Sequence, residues 1–90
     1  MNKIYLLAFD PHKTDASGLH NIISKNPYIT TWWHYIGSVY LIKSSYTLAT
    51  IHSEIVQKWP NQHFLFIEVN ASNANGWLPQ EAWDWINLHK

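Results

Sequence analysis

The stretch Thr31-Thr-Trp-Trp-His-Tyr-Ile-Gly-Ser-Val-Tyr-Leu-Ile-Lys43 restricts the fold more than any other part of the chain. Aromatic and β-branched residues dominate it and a single Gly-Ser pair interrupts it, the pattern of a β-hairpin. With Gly37 and Ser38 as the loop, Ile36 faces Val39, Tyr35 faces Tyr40, His34 faces Leu41 and Trp33 faces Ile42. Strand side chains alternate, so Trp33, Tyr35, Tyr40 and Ile42 share one face and His34, Ile36, Val39 and Leu41 share the other. Neither set is polar, which places the hairpin in the middle of a small sheet covered on both sides.

The flanking segments supply the rest of that sheet. Ile4 to Phe9 is an unbroken apolar run of strand length, the mark of a strand buried on both faces, and Asp10-Pro11 stops it. A helix capped by Asp15 or Ser17 follows, with Leu19, Ile22 and Ile23 as its apolar stripe, Gly18 as a weak point and Asn26-Pro27 as its end. After the hairpin, Thr47 caps a second helix with a Leu48, Ile51 and Ile55 stripe, closed by Trp59-Pro60-Asn61. Phe64 to Val69 is the last strand, with Leu65, Ile67 and Val69 on one face and Phe64, Phe66 and Glu68 on the other. An Asn-rich polar loop leads to a Trp-rich helix over about 77–89, apolar around much of its circumference.

The order of elements predicts an α+β fold of the ferredoxin-like split βαββαβ type: a four-stranded antiparallel sheet, two helices on one face and a C-terminal helix besides. The chain reads as a single domain over 1–90, with a core over about 3–70. The face away from the two long helices is expected to hold Phe64, Phe66 and one set from the hairpin. The C-terminal helix, a partner subunit, or both would cover it.

Composition narrows the function. A chain this short buries only roughly 60–65% of its unfolded surface, and six Trp, five Tyr and three Phe provide the large side chains that compensate. They amount to more aromatic surface than one small core uses, so a Trp-rich core and an aromatic interface both stand as readings. Six lysines balance six carboxylates, which argues against a nucleic-acid binder that works by neutralising phosphates. Six histidines would add positive charge below about pH 6.5. No cysteine is present, so disulfides and thiolate chemistry are excluded. The apolar run near the start is too brief for a signal peptide or a membrane span, and a cytoplasmic protein with no membrane partner is expected.

Individual residues offer several candidate sites. Asp10 ends the first strand, where it either caps a turn or contributes one ligand to a Mg²⁺ ion completed by another subunit or by substrate phosphates. The histidines at 12, 20, 34, 52, 63 and 89 show no metal-ligand spacing. His34, placed among apolar hairpin residues, is either a satisfied core histidine or part of an interface. Trp32, Trp33, Tyr35, Tyr40, Trp77 and Trp83 either pack internally or stack on a nucleotide-like ligand. Trp77, just beyond the Asn-rich loop, is placed to close over a pocket.

Tyr5 to Asp10, Trp32 to Ile42 and Phe64 to Val69 together resemble a family of small ferredoxin-like proteins called SinR-like, over nearly the whole chain. More distantly they resemble the small CRISPR adaptation nuclease family and its toxin relative VapD. The distant resemblance implies a homodimer formed through sheet edges and the last strand, with Asp10 in the place of a proposed metal ligand.

Two functions follow as expectations. One is a small homodimeric binding or regulatory module with no enzymatic activity and no cofactor, binding a protein or a nucleotide-like ligand, in a phage or mobile-element defence or anti-defence setting. Its binding residues would be Trp33, His34, Tyr35, Tyr40, Trp77 and Trp83. The other is a Mg²⁺-dependent nuclease with one Asp10 from each subunit, as both catalytic and metal-binding residue, at the dimer axis.

Overall fold

The computed structural model describes residues 2–90. The elements run β1 (Lys3–Phe9), α1 (Ala16–Lys25), β2 (Thr31–Ile36), β3 (Val39–Ser44), α2 (Leu48–Lys58), β4 (Phe64–Val69) and α3 (Gln80–His89). The strands form one antiparallel sheet in the order β2-β3-β1-β4. This is the ferredoxin-like arrangement: each βαβ crossover skips one strand, which is inserted between its two ends.

Local chemistry sets the helix boundaries. Asp15 caps α1, its carboxylate accepting from the Gly18 amide at 3.0 Å. A β-carbon at position 18 would run into that same carboxylate, so the glycine that lowers helix propensity also makes room for the cap. Thr47 caps α2 by accepting from the Thr50 amide at 3.2 Å. Beyond α2, Asn61 turns the chain with φ of 62°, the left-handed region that Asn tolerates better than most residues. The last helix begins at Gln80, three residues later than expected: Trp77 and Leu78 are not helical, and Pro79 stands just before its first turn.

The sheet separates two cores. On the α1/α2 side, Tyr5, Leu7, Phe9, Tyr40 and Ile42 meet Leu19 and Ile23 of α1 and Ile51 and Ile55 of α2. On the other side, Ile4, Trp33 and Leu41 meet Ala82 and Ile86 of α3. β1 thus contributes to both cores, as its unbroken apolar run requires. Phe64 and Phe66 pack into the α1/α2 core, not on the second face as expected, and Leu65, Ile67 and Val69 take the second face.

The hairpin departs from the expected register. Ile36 does pair with Val39, but Trp33 pairs with Leu41 and Trp32 with Ile42, because a β-bulge lies between Trp33 and Ile36. The extra residue reverses the pleat below it. Trp33 therefore lies with Leu41 on the second face, while Trp32 and His34 lie beside Tyr40 on the α1/α2 face. No glycine has positive φ, so the Gly37-Ser38 turn is not of the primed type that suits a regular two-residue hairpin. The Phe9 amide, donating to the Ser38 carbonyl at 3.0 Å, ties this turn to the end of β1.

Candidate functional site

The sequence-nominated residues fall in three separate places. At the end of β1, Asp10 is exposed and engaged in its own turn. Its carboxylate accepts from the His12 amide at 2.9 Å, and its carbonyl accepts from the Lys13 amide at 3.1 Å and the Thr14 hydroxyl at 2.7 Å. This is an Asx turn, the use of Asp that local hydrogen bonding predicts. A hollow of about 310 Å³ beside it is shared with Lys13, Thr14, Asn61 and His63. Among the described residues no group of three or more His, Cys, Asp or Glu side chains is arranged to hold a metal ion.

The second place is the rim of the α1/α2 core. The His34 ring lies flat on Tyr40, centroids 3.9 Å apart and planes 2° from parallel. Its Nδ1 donates to the Val39 carbonyl at 2.9 Å, an acceptor that fixes a proton on that nitrogen. Tyr40 is fully buried, and burial pushes its hydroxyl above the ordinary tyrosine value, which keeps it protonated and able to donate to His20 Nδ1 at 2.9 Å. Trp32 meets the His20 ring edge-on at 5.1 Å. Here His34 and Tyr40 act as packing groups with satisfied polar atoms. Among the described residues no buried side-chain nitrogen or oxygen lacks a partner.

The third place is the second face of the sheet. α3 lies over its hairpin half. Trp33, only 3% exposed, donates from its indole nitrogen to the Ala82 carbonyl at 3.2 Å, and Trp85 donates to the Thr31 hydroxyl at 3.2 Å. At the end of the helix, Lys43 Nζ lies 3.0 Å from His89 Nδ1. Burial first, and the Lys43 ammonium second, hold the His89 imidazole below its ordinary value, so it is the neutral acceptor of this bond. Trp83 packs at the helix margin against Gly76, and Tyr35 meets Trp33 edge-on at 5.5 Å. Trp77 is fully exposed.

The helix does not reach β4. Leu65 stays 60% exposed and Ile67 46% exposed on this face. A cleft of about 310 Å³ opens between the sheet and α3, walled by Leu6, Val39, Leu41, Leu78, Trp83 and Ile86 and roofed by the 70–78 loop. Of the nominated binding residues, Trp33, Tyr35 and Trp83 thus gather on the second face, His34 and Tyr40 lie on the opposite side of the sheet, and Trp77 stands free. Leu65, Ile67, Lys43 and His89 were not nominated. The signal for the first two is present in the sequence: two large aliphatics at alternate positions of a strand, with no opposing partner in the sequence pattern.

Comparison with protein-family models, with curated proteins and with solved structures finds no match to this chain at a significant level.

Proposed function

We propose that this chain is a small homodimeric binding module without catalytic machinery, and that two copies join through the outer edge of β4. The observation that carries the proposal is the contrast between the two edge strands. β2 carries a bulge, and α3 covers its first half through Trp33 and Trp85, leaving Tyr35 and Ile36 exposed only beyond the bulge. β4 carries one charge but no bulge, proline or lysine to keep its edge apart from another strand. It pairs with β1 through six consecutive residues without a register shift. Its one charge, Glu68, lies on the α1/α2 side, and Leu65 and Ile67 are left in water.

Antiparallel pairing of two β4 strands about a two-fold axis would make an eight-stranded sheet and bring the two Leu65–Ile67 pairs together. Each fully buried aliphatic side chain is worth about 1.5–3 kcal/mol. Four half-exposed ones would therefore supply at most about 3–6 kcal/mol before backbone hydrogen bonds are added. The α1/α2 side, Asp10 and the hairpin turn stay outside the contact.

That dimer does not bring the two Asp10 carboxylates together. Phe9 pairs with Phe64, so Asp10 lies beyond the start of β4, and with about 3.3 Å per residue and about 4.8 Å between strands the two carboxylates end roughly 25 Å apart. Ligands of one Mg²⁺ lie about 2 Å from the ion. The β4 dimer and the shared-ion nuclease are thus alternative assemblies, and the exposed edge favours the first.

Sedimentation equilibrium tests the reading. The expected mass is twice that of the 10.6 kDa chain, and the Leu65→Lys/Ile67→Lys variant is expected to sediment as a monomer with unchanged circular dichroism. A wild-type chain that stays monomeric up to its solubility limit would overturn it.

A further inference from the structure

The cleft between the sheet and α3 changes character along its length, and both walls change in the same direction. On β3, Leu41 is followed on the same face by Lys43; on α3, Ile86 is followed one turn later by His89. The apolar cleft and a second hollow of about 450 Å³ meet at Val69, Asn70 and Ala71, which line both. That second hollow carries Lys3, Lys43 and Lys90, half of the chain's lysines, with Glu68 as its one acidic side chain.

The charges in the second hollow are not balanced. Lys3 pairs with Glu68 at 3.5 Å, and this is the one ion pair among the described residues. Lys43 is half-buried, and its bonded neighbour is the uncharged His89 ring. A partly desolvated ammonium whose hydrogen-bond partner is neutral has electrostatic capacity to spare for an anion. The apolar cleft beside it offers few polar groups, the Asn70 and Asn75 amides among them, which suits an alkyl chain better than a nucleobase.

We propose that this cleft binds a free medium-chain carboxylic acid, its alkyl chain between Leu41, Val39, Trp83 and Ile86 and its carboxylate at Lys43 and His89. At about 30 Å³ per methylene, close to the volume of one water, the apolar part accommodates about ten carbons. The two-oxygen head matches the two adjacent nitrogens: one oxygen would accept from Lys43 Nζ in place of its bond to His89, and the neutral His89 ring, released from accepting and switched to its Nδ1–H tautomer, would donate to the other. The 70–78 loop, with Leu78 on the inner side, forms the roof over the chain. The inference extends the binding reading above but does not need the β4 dimer: Glu68 and Val69 at the end of β4 border the site, whereas Leu65 and Ile67, on which the proposed contact rests, do not line it.

Isothermal titration calorimetry of the full chain with decanoate, below its micelle concentration, is the test. Decanoate is expected to bind one per chain. Decanol, which lacks the charge, and the Lys43→Met variant titrated with decanoate are each expected to bind at least about tenfold more weakly, the loss of one charge-assisted hydrogen bond. Acetate, which lacks the chain, is expected to give no heat of binding. Decanol binding as tightly as decanoate would overturn the assignment of the head, and this comparison needs no variant. Decyl phosphate binding more tightly than decanoate would overturn the choice of a carboxylate, and no binding by decanoate would overturn the site. Sedimentation of the same samples separates the two proposals: a dimer that ignores decanoate sinks only the cleft, and a monomer that binds it sinks only the assembly.

Discussion

Replacing Trp33 by Phe is expected to loosen α3 from the sheet more than any other single-ring change among the tryptophans of this face. Trp33 is 3% exposed and its indole N–H bonds the Ala82 carbonyl at 3.2 Å. A phenyl ring keeps an aromatic edge-on contact with Tyr35 but removes that donor, a net loss of about 0.5–1.5 kcal/mol. It also gives up about 40 Å² of buried apolar surface, or about 1 kcal/mol, with a cavity penalty of about the same size where the helix cannot settle inward. The sum is about 2.5–3.5 kcal/mol, which in a chain of this length lowers Tm by roughly 10–28 °C. Trp85, half-buried and bonded to a threonine hydroxyl, is expected to cost about 1 kcal/mol as Phe. Trp77, fully exposed, is expected to cost nothing measurable as Ala. Urea unfolding gives all three from midpoints at constant slope. A Trp33→Phe midpoint within about 0.5 kcal/mol of wild type, or a Trp77→Ala cost equal to that of Trp33→Phe, would refute the packing of α3 on the hairpin half of the sheet.

Other perturbations test separate parts of the account. Ser44 is fully buried, donates to the Tyr28 carbonyl at 2.6 Å and accepts from the Tyr46 amide at 3.0 Å, so Ser44→Ala leaves two backbone groups short and is expected to cost about 2 kcal/mol by urea unfolding. The His89 imidazole is held below its ordinary value by burial and by Lys43, so the unfolded chain takes up this proton first as pH falls below about 6.5. Its contribution to stability is intact above that pH and declines as pH falls toward the lower folded value. The difference between wild type and His89→Gln, measured by unfolding across this window, is expected to show that slope; a pH-independent difference would contradict it. Asp10→Ala is expected to lower stability by at most about 1 kcal/mol through loss of the Asx turn. In RNA and DNA cleavage assays with Mg²⁺ or Mn²⁺, no Asp10-dependent activity is expected, and finding it would replace the binding module by a nuclease.

The hairpin illustrates what the sequence discloses and what it conceals. Its existence and its turn residues follow from composition, and so does the burial of β1 on both faces, but its expected place in the middle of the sheet does not hold: β2 is an edge strand, and β3 with β1 forms the central pair. The faces of β2 do not follow from composition either. Trp32 and Trp33 are adjacent and equally apolar, so alternation alone leaves the register free, and the bulge beyond Trp33 is decided by tertiary packing. A one-residue shift was enough to carry Trp33 to α3 and leave Tyr40 behind in the other core. Phe64 and Phe66 show the same limit: an amphipathic strand with two apolar faces does not say which one meets the helices, and the larger rings go to the larger core. At the candidate site, Trp33 and Trp83 were visible as aromatics, whereas the pairing of Lys43 with His89 joins residues 46 positions apart and is set by where α3 crosses the sheet.

The exposed edge of β4 is the feature on which the account turns, and amide hydrogen exchange reads it directly. The inward amides of β4 bond to β1 and are expected to exchange slowly in any state. In the proposed dimer the outward amides of Phe64–Val69 are also slow, and their protection increases with protein concentration. Outward amides that exchange at the rate of unstructured chain at every concentration, while the inward ones remain protected, would contradict it.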